Sequence, residues 1–192
     1  LVVASCASRP PLAQLPPAAA AGAASRCQQA FPRQPWRATH TLVASLPTGL
    51  ASGLVGMLSA GSDGLHAVLL SPEGLRLFDG IQRHGGSGGL TILRAVPPLD
   101  HSDFAPTLLA DVGAAFLPPA GSLAVGRNAA GATVCRFTQP GHDATEVELG
   151  RDGPAKIRSY RNRQVTREIT LSGAPDRGFF PHLRLVAPLA GY

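Results

Sequence analysis

The chain has 192 residues, enough for one domain with a hydrophobic core, and its formal net charge is +5. Charged residues make up only 15% of it, whereas an average soluble domain has about 25%, and it contains 22 glycines and 18 prolines. This composition excludes a helical bundle, whose solvent faces need many charged residues, and favours short strands joined by turns. The positive charge favours anionic partners, including phospholipid headgroups.

The first six residues, LVVASC, resemble a lipobox, the apolar and small residues that lipoprotein signal peptidase recognises before a cysteine. Residues 1–6 are therefore interpreted as the end of a signal peptide, with Cys6 as the lipidated residue. The alternative is a buried apolar strand that ends in a cysteine. Residues 7–30 are rich in Ala and Pro without apolar periodicity, which predicts a flexible tether to a β domain over residues 31–192.

Two further cysteines, Cys27 and Cys135, remain after Cys6. In an oxidising periplasm they can form a disulfide; the alternative is one thiol in the tether and one buried in a strand. The sequence alone does not place them within bonding distance. No later stretch approaches the roughly 20 apolar residues that cross a bilayer, so we expect the lipid alone to hold the chain at a membrane.

From Trp36 onward, short segments of alternating apolar residues are separated by turn residues such as Asp63-Gly64. Strands are predicted over residues 36–46, 50–60, 65–70, 75–81, 90–93, 122–125, 133–138, 145–149, 156–161, 165–171 and 182–187. Between Asp103 and Leu117 the apolar residues recur every three to four positions, which predicts one helix with Pro106 in its first turn. The fold class is therefore mainly β, with about ten to eleven antiparallel strands in a curved sheet and one short internal helix.

Eight apolar positions are ordinary core candidates, and they line a cavity if the curved sheet leaves its interior unfilled. They are Leu69, Leu77, Leu90, Ile92, Leu108, Leu109, Val112 and Phe116. Burial of an acyl chain contributes about 0.8 kcal/mol per methylene, so a long chain is held without any catalytic residue.

Two polar motifs invite a catalytic interpretation. Ser87 lies in GGSGG, which matches the G-x-S-x-G pattern of hydrolases, but a strand-like segment follows where the nucleophile elbow requires a helix, so a hairpin turn is expected. The run Asp100-His101-Ser102-Asp103 is either a metal or triad cluster or a polar loop that ends in a helix cap; the polar loop is favoured. Because the motifs of metalloproteases, P-loops and dinucleotide sites are also missing from the sequence, we expect no enzyme, no metal and no cofactor.

A basic stretch surrounds Tyr160 and consists of Arg151, Lys156, Arg158, Arg161, Arg163 and Arg167. Nucleic-acid binding would need more aromatic residues and an intracellular location, so no nucleic acid is expected. The favoured interpretation is a solvated strand face and turn. In an exported protein the stretch can also meet phosphate headgroups or the acidic surface of a protein partner.

Three segments carry a family resemblance. Residues 69–78, LLSPEGLRLF, resemble the strand, Ser-Pro-x-Gly, strand hairpin of the outer-membrane lipoprotein receptor LolB and its relatives. Residues 106–111, followed by 116–118, are similar to a related uncharacterised lipoprotein family, often encoded beside aryl-polyene and fatty-acid-synthase-like clusters. Residues 167–169 and 182–185 are similar to the closing pair of strands in that family.

The resemblance covers residues 36–187 and the lipobox, and it implies a LolA/LolB-like half-barrel with a helical plug and a cavity for acyl chains. Ala7 follows the cysteine where an inner-membrane retention signal has Asp, which implies the periplasmic face of the outer membrane. The expected function is binding or transfer of an acylated molecule by a lipid-anchored protein. The alternatives are a scaffold lipoprotein with a periplasmic protein partner and, second, a serine-type hydrolase.

Overall fold

The computed structural model describes residues 12, 15–16, 22–32, 35–45, 51–83, 89–97, 99–101, 103–140, 143–151, 154–172 and 182–186. Within these ranges the chain forms eleven β-strands and two α-helices. In chain order they are α1 (Ala23–Gln28), β1 (Trp36–Ser45), β2 (Ala51–Gly61), β3 (Gly64–Leu70), β4 (Arg76–Gln82), β5 (Leu90–Ala95), α2 (Phe104–Phe116), β6 (Ser122–Arg127), β7 (Thr133–Thr138), β8 (Ala144–Leu149), β9 (Pro154–Arg161), β10 (Gln164–Ser172) and β11 (His182–Val186).

The residues group into two compact units. One unit contains β1–β5 and α2 as far as Gly113, and the other contains the N-terminal residues through Phe31, the end of α2 and β6–β11. The single β domain proposed from the sequence over residues 31–192 stays a prediction.

The first sheet is an antiparallel meander in which β1–β5 each pair with the next strand of the chain. A tight turn at Ser62 and Asp63 joins β2 to β3, and Gly64 follows with a φ of +131°, a conformation that glycine adopts without strain. The turn between β3 and β4 is closed by the Ser71 N–H, which donates to the Leu75 carbonyl at 2.8 Å. These short turns favour antiparallel pairing of consecutive strands.

The second sheet contains β6–β11, again in chain order and antiparallel. Its core is a row of directly opposed residues on β7, β8, β9 and β10, each with no exposed area: Cys135, Val147, Ile157 and Ile169. Because side chains alternate along a strand, the residues on either side of this row belong to the opposite face.

The N-terminal segment lies against the second sheet. The Leu12 N–H donates to the Arg163 carbonyl at 3.2 Å, and the Leu12 side chain packs against a buried cluster of Ala144, Tyr160 and Val165. Further along, the Arg127 N–H of β6 donates to the carbonyl of Pro16 at 3.1 Å. Residues 12 and 15–16, which we call the N-terminal strap, therefore contact both the β9–β10 turn and β6.

Helix α1 is attached to the same unit. Cys27 of α1 is disulfide-bonded to Cys135 of β7, with their Cα atoms 5.7 Å apart, so the structure joins the two cysteines whose pairing the sequence left open. Arg26 donates from Nη2 to the Gly150 carbonyl at 3.3 Å. The end of the stretch interpreted as a flexible tether is thus folded, and α1 was missed because its six residues carry no apolar periodicity.

The predicted secondary structure agrees closely with these elements. A mainly β chain of ten to eleven antiparallel strands with one internal helix is confirmed by the eleven strands and α2. The strands pair within two sheets, whereas the sequence predicted one curved sheet. Alternation identifies a strand and its faces, but it does not identify the strands that pair across a connection as long as the one from β5 to β6.

Candidate functional site

Helix α2 packs against β4 of the five-stranded sheet. The ring of Phe104 meets the ring of Phe78 edge-on, with centroids 5.7 Å apart, and Phe78 has no exposed area. A Cβ atom at Gly80 would lie 3.5 Å from Cδ1 of Leu109. The face that holds Phe78 and Gly80 is therefore the face on which the helix packs, and we call it the helix face.

Two exposed apolar side chains of β5 belong to the helix face. In the β4–β5 register Ile92 lies directly opposite Gly80, and Leu90 lies opposite Gln82. Directly opposed residues share a face of the sheet, so Leu90 and Ile92 point to the side that α2 packs against. They nevertheless remain 38% and 48% exposed. We call these two residues the β5 strip.

The other predicted lining residues are divided between the core and partly covered positions. Leu69 lies opposite Phe78 on the helix face, and both it and Leu109 are buried. Leu108 and Val112 are half-buried on α2, and Leu77 is half-buried at a bulge of β4. Phe116 is buried but belongs to the other unit. The structure thus places Leu69 on the helix face with the β5 strip, and it places Leu109 of α2 against that face. The cavity-lining role of all eight residues stays a prediction.

The opposite face of the same sheet carries a polar cluster that the sequence did not indicate. Asp79 is only 3% exposed, and its Oδ1 lies 2.6 Å from Nε2 of His66 while its Oδ2 accepts from Nη1 of Arg76 at 2.9 Å. A buried carboxylate needs such partners because its desolvation is costly. The pair was missed because His66 and Asp79 are thirteen positions apart in the sequence, and only the β3–β4 register brings them together.

Ser59 lies directly opposite His66 on β2, so a Ser, a His and an Asp occupy neighbouring strands. In the described part of the chain, however, no hydrogen bond joins Ser59 to His66. A hydrolytic nucleophile needs that contact with its base, so the cluster has the composition of a triad without its essential bond. The arrangement is a hydrogen-bonded network that links β3 and β4.

The residues that the sequence suggested for metal binding, catalysis or lipidation are not brought together into a site within the described part of the chain. Asp100, His101 and Asp103 are exposed, and the His101 carbonyl accepts from the Phe104 N–H at 3.1 Å, as at the start of a helix. Among the described residues, no group of three or more His, Cys, Asp or Glu side chains is placed to hold a metal ion. Cys6 and Ser87 lie outside the described residues.

Charged side chains cross the second sheet on the face opposite its core. Arg136 donates from Nε to Glu146 at 2.9 Å, and the hydroxyl of Tyr160 donates to the other oxygen of Glu146 at 2.8 Å. Burial, followed by this hydrogen bond and the charge of Glu146, raises the pKa of Tyr160 far above its ordinary value. The phenol therefore stays protonated and serves as a donor across β8 and β9.

Glu168 continues the same row on β10. It accepts from Nε of Arg158 at 2.8 Å and lies 3.7 Å from Nζ of Lys156. Burial alone would raise the pKa of Glu168, but the hydrogen bond from Arg158 and the charge of Lys156 outweigh it and lower the pKa. Two members of the predicted basic stretch are thus paired with a carboxylate, whereas Arg151, Arg161 and Arg163 are exposed.

Comparison with protein-family models, with curated proteins and with solved structures gave no match to this chain. In the part of the chain that the structure describes, no helix is both long and apolar enough to span a membrane.

Proposed function

We propose that this chain is a lipid-anchored lipoprotein of the periplasmic face of the outer membrane that binds or transfers an acylated molecule. The observation that carries the proposal is the β5 strip, because two large apolar side chains remain exposed on the face that α2 packs against. An acyl chain laid along this strip would remove Leu90 and Ile92 from water at about 25 cal/mol per Å² of apolar surface.

In this proposal a lipid on Cys6 is the anchor. The proposal also includes a half-barrel like that of LolA and LolB, which the resemblance of the sequence alone supports. Binding of this kind uses shape and apolar area, so it requires no catalytic residue and no cofactor. The ligand class is an acyl chain or a lipidated molecule.

The binding test is native mass spectrometry of the full chain with Cys6→Ser, purified without detergent so that a retained lipid stays bound. The double variant Leu90→Ser/Ile92→Ser is expected to lose at least tenfold of the lipid adduct, since a polar strip no longer offers apolar contact. The matched control is Met57→Ser/Leu75→Ser: both residues are apolar and about half exposed, but Met57 is on the opposite face and Leu75 in a turn.

An adduct that both double variants lose equally would place the ligand elsewhere. A clean apo mass after incubation with phospholipid and lipopeptide would contradict acyl-chain binding altogether. The anchor is tested separately, since the chain with its native Cys6 should carry the added mass of a lipid in the membrane fraction, while the Cys6→Ser chain should not.

A scaffold lipoprotein is the second candidate, and the position of β5 favours it. This strand is an edge of its sheet, and five of its six residues are exposed. A free edge offers unpaired backbone groups to a strand of a protein partner. Capture of one defined periplasmic protein with no retained lipid would favour this function over acyl-chain binding.

A further inference from the structure

The N-terminal strap limits the distance between the Cys6 anchor and the β9–β10 end of the second sheet. Leu12 is held at the β9–β10 turn by two hydrogen bonds: its N–H donates to the Arg163 carbonyl at 3.2 Å, and its carbonyl accepts from Nη2 of Arg163 at 3.3 Å. Cys6 and Leu12 are six residues apart in the sequence. Even a fully extended segment of that length spans at most about 22 Å.

The turn itself is basic. Arg161, Asn162, Arg163 and Gln164 are all exposed, and none of the four is acidic. Arg9, between the anchor and Leu12, adds a third positive charge in the sequence, and no acidic residue occurs before Asp63. At this end of the sheet Asp143 precedes Ala144, the register partner of Tyr160, and Asp143 is half-buried.

Basic residues near an anionic bilayer surface are attracted to it within about one Debye length, roughly 8 Å at physiological salt. A lipid on a flexible segment holds a protein at a bilayer without orienting it, and a basic patch beside the anchor adds a second attachment that does. Arg158 and Lys156, by contrast, share the carboxylate of Glu168 on the sheet face, which offsets part of their positive charge.

We infer that the β9–β10 turn, through Arg161 and Arg163, docks on the anionic headgroups of the membrane that holds Cys6, and so orients the second unit with this end of its sheet toward the bilayer. The inference rests on the proposed lipid anchor. It adds to that proposal a defined contact surface and a phospholipid headgroup as its partner.

The test attaches the full chain through the Cys6 thiol to vesicles that contain a maleimide lipid, while Cys27 and Cys135 stay in their disulfide. Hydrogen exchange of residues 161–164 is then compared on phosphatidylcholine vesicles and on vesicles with 30% phosphatidylglycerol. The turn should exchange several-fold more slowly on the anionic vesicles, and 0.5 M NaCl should abolish the difference.

Arg161→Gln and Arg163→Gln should each weaken the attraction about fivefold, and the double variant should exchange alike on both vesicles. Arg161→Gln alone keeps the Arg163 contact with Leu12, so its effect is separate from any loosening of the strap. The control for Arg161→Gln is Arg151→Gln, an exposed arginine that follows β8 at the opposite end of the strands, and it should keep full protection.

Equal exchange of the turn on both vesicles in the unmodified sequence would overturn the docking, as would equal effects of Arg151→Gln and Arg161→Gln. Because the maleimide lipid replaces the native anchor, these outcomes are independent of whether Cys6 is lipidated in the cell. Failure of the docking and failure of the lipid anchor are therefore distinguished.

Discussion

At the scale of single residues, Gly80 leaves the space on the helix face that the ring of Phe78 needs. A Cβ atom at this position would lie 2.6 Å from Cζ of Phe78, whose ring is fully buried beneath Phe104. The ring has no free space to retreat into, because protein cores are packed at the density of organic crystals. The absence of a side chain at Gly80 is thus part of the core and could not be inferred from a strand pattern.

Gly80→Ala should therefore destabilise the chain by about 1–3 kcal/mol, the usual cost of overpacking a core. Urea denaturation followed by circular dichroism measures it. Gly53→Ala is the control: Gly53 also lies in a strand, but a Cβ there meets nothing within 4 Å. Equal stability of the two variants would contradict the packing described for Phe78.

Asp79 is a second decisive residue, since it is a buried carboxylate held by His66 and Arg76. Asp79→Asn removes the charge that both partners bond and leaves donors facing a weaker acceptor, so we expect a loss of about 1–3 kcal/mol in the free energy of unfolding. Asp63→Asn, an exposed aspartate in the β2–β3 turn, should change stability by less than about 0.5 kcal/mol.

At the scale of elements, the sequence predicted the strands well because alternating apolar residues indicate a half-buried strand and turn residues indicate where each strand ends. It predicted α2 from the spacing of Phe104, Leu108 and Val112. It missed α1, which depends on a disulfide and tertiary contacts rather than on its own pattern. It placed Leu90 and Ile92 correctly in a strand. Their exposure on the helix face depends on the position of β5 at an edge of the sheet, which an alternating pattern does not predict.

The charged row across β9 and β10 makes part of the stability dependent on pH. The folded-state pKa of Glu168 lies below its ordinary value of 4.5, so its ionised form stabilises the fold above about pH 4.5. This contribution is lost as the pH falls through the lowered pKa. Glu168→Gln should therefore lower the melting temperature at pH 7 and converge with the unmodified chain in strong acid. Because Glu168 is about one-third exposed, 0.5 M NaCl should reduce the difference.

At the scale of the whole molecule, the disulfide and the strap turn the N-terminal segment into part of the second unit. The bond between Cys27 and Cys135 closes a loop with a sequence separation of 108 residues. A cross-link that closes a longer loop lowers the entropy of the unfolded chain more. In the chain-entropy account, closing a loop of about 100 residues stabilises the folded state by about 4–5 kcal/mol. Such a contribution is a large fraction of the stability of an ordinary domain.

Cys27→Ala/Cys135→Ala should consequently lower the melting temperature substantially, and a reducing agent should do the same to the unmodified chain. Helix α1 should loosen too, which limited proteolysis detects as faster cleavage after Arg26. A reducing agent that leaves both the melting temperature and the cleavage rate unchanged would contradict a structural role for the disulfide.

The same bond has a consequence for the order in which the molecule is made. Synthesis at about 5–20 residues per second separates the emergence of Cys27 from that of Cys135 by about 5–20 s, given their separation of 108 residues. The two elements that hold the strap, β6 and the β9–β10 turn, also follow the strap in the chain by more than 100 residues. The strap is therefore undocked throughout that interval, because the strands that bind it have not yet been made.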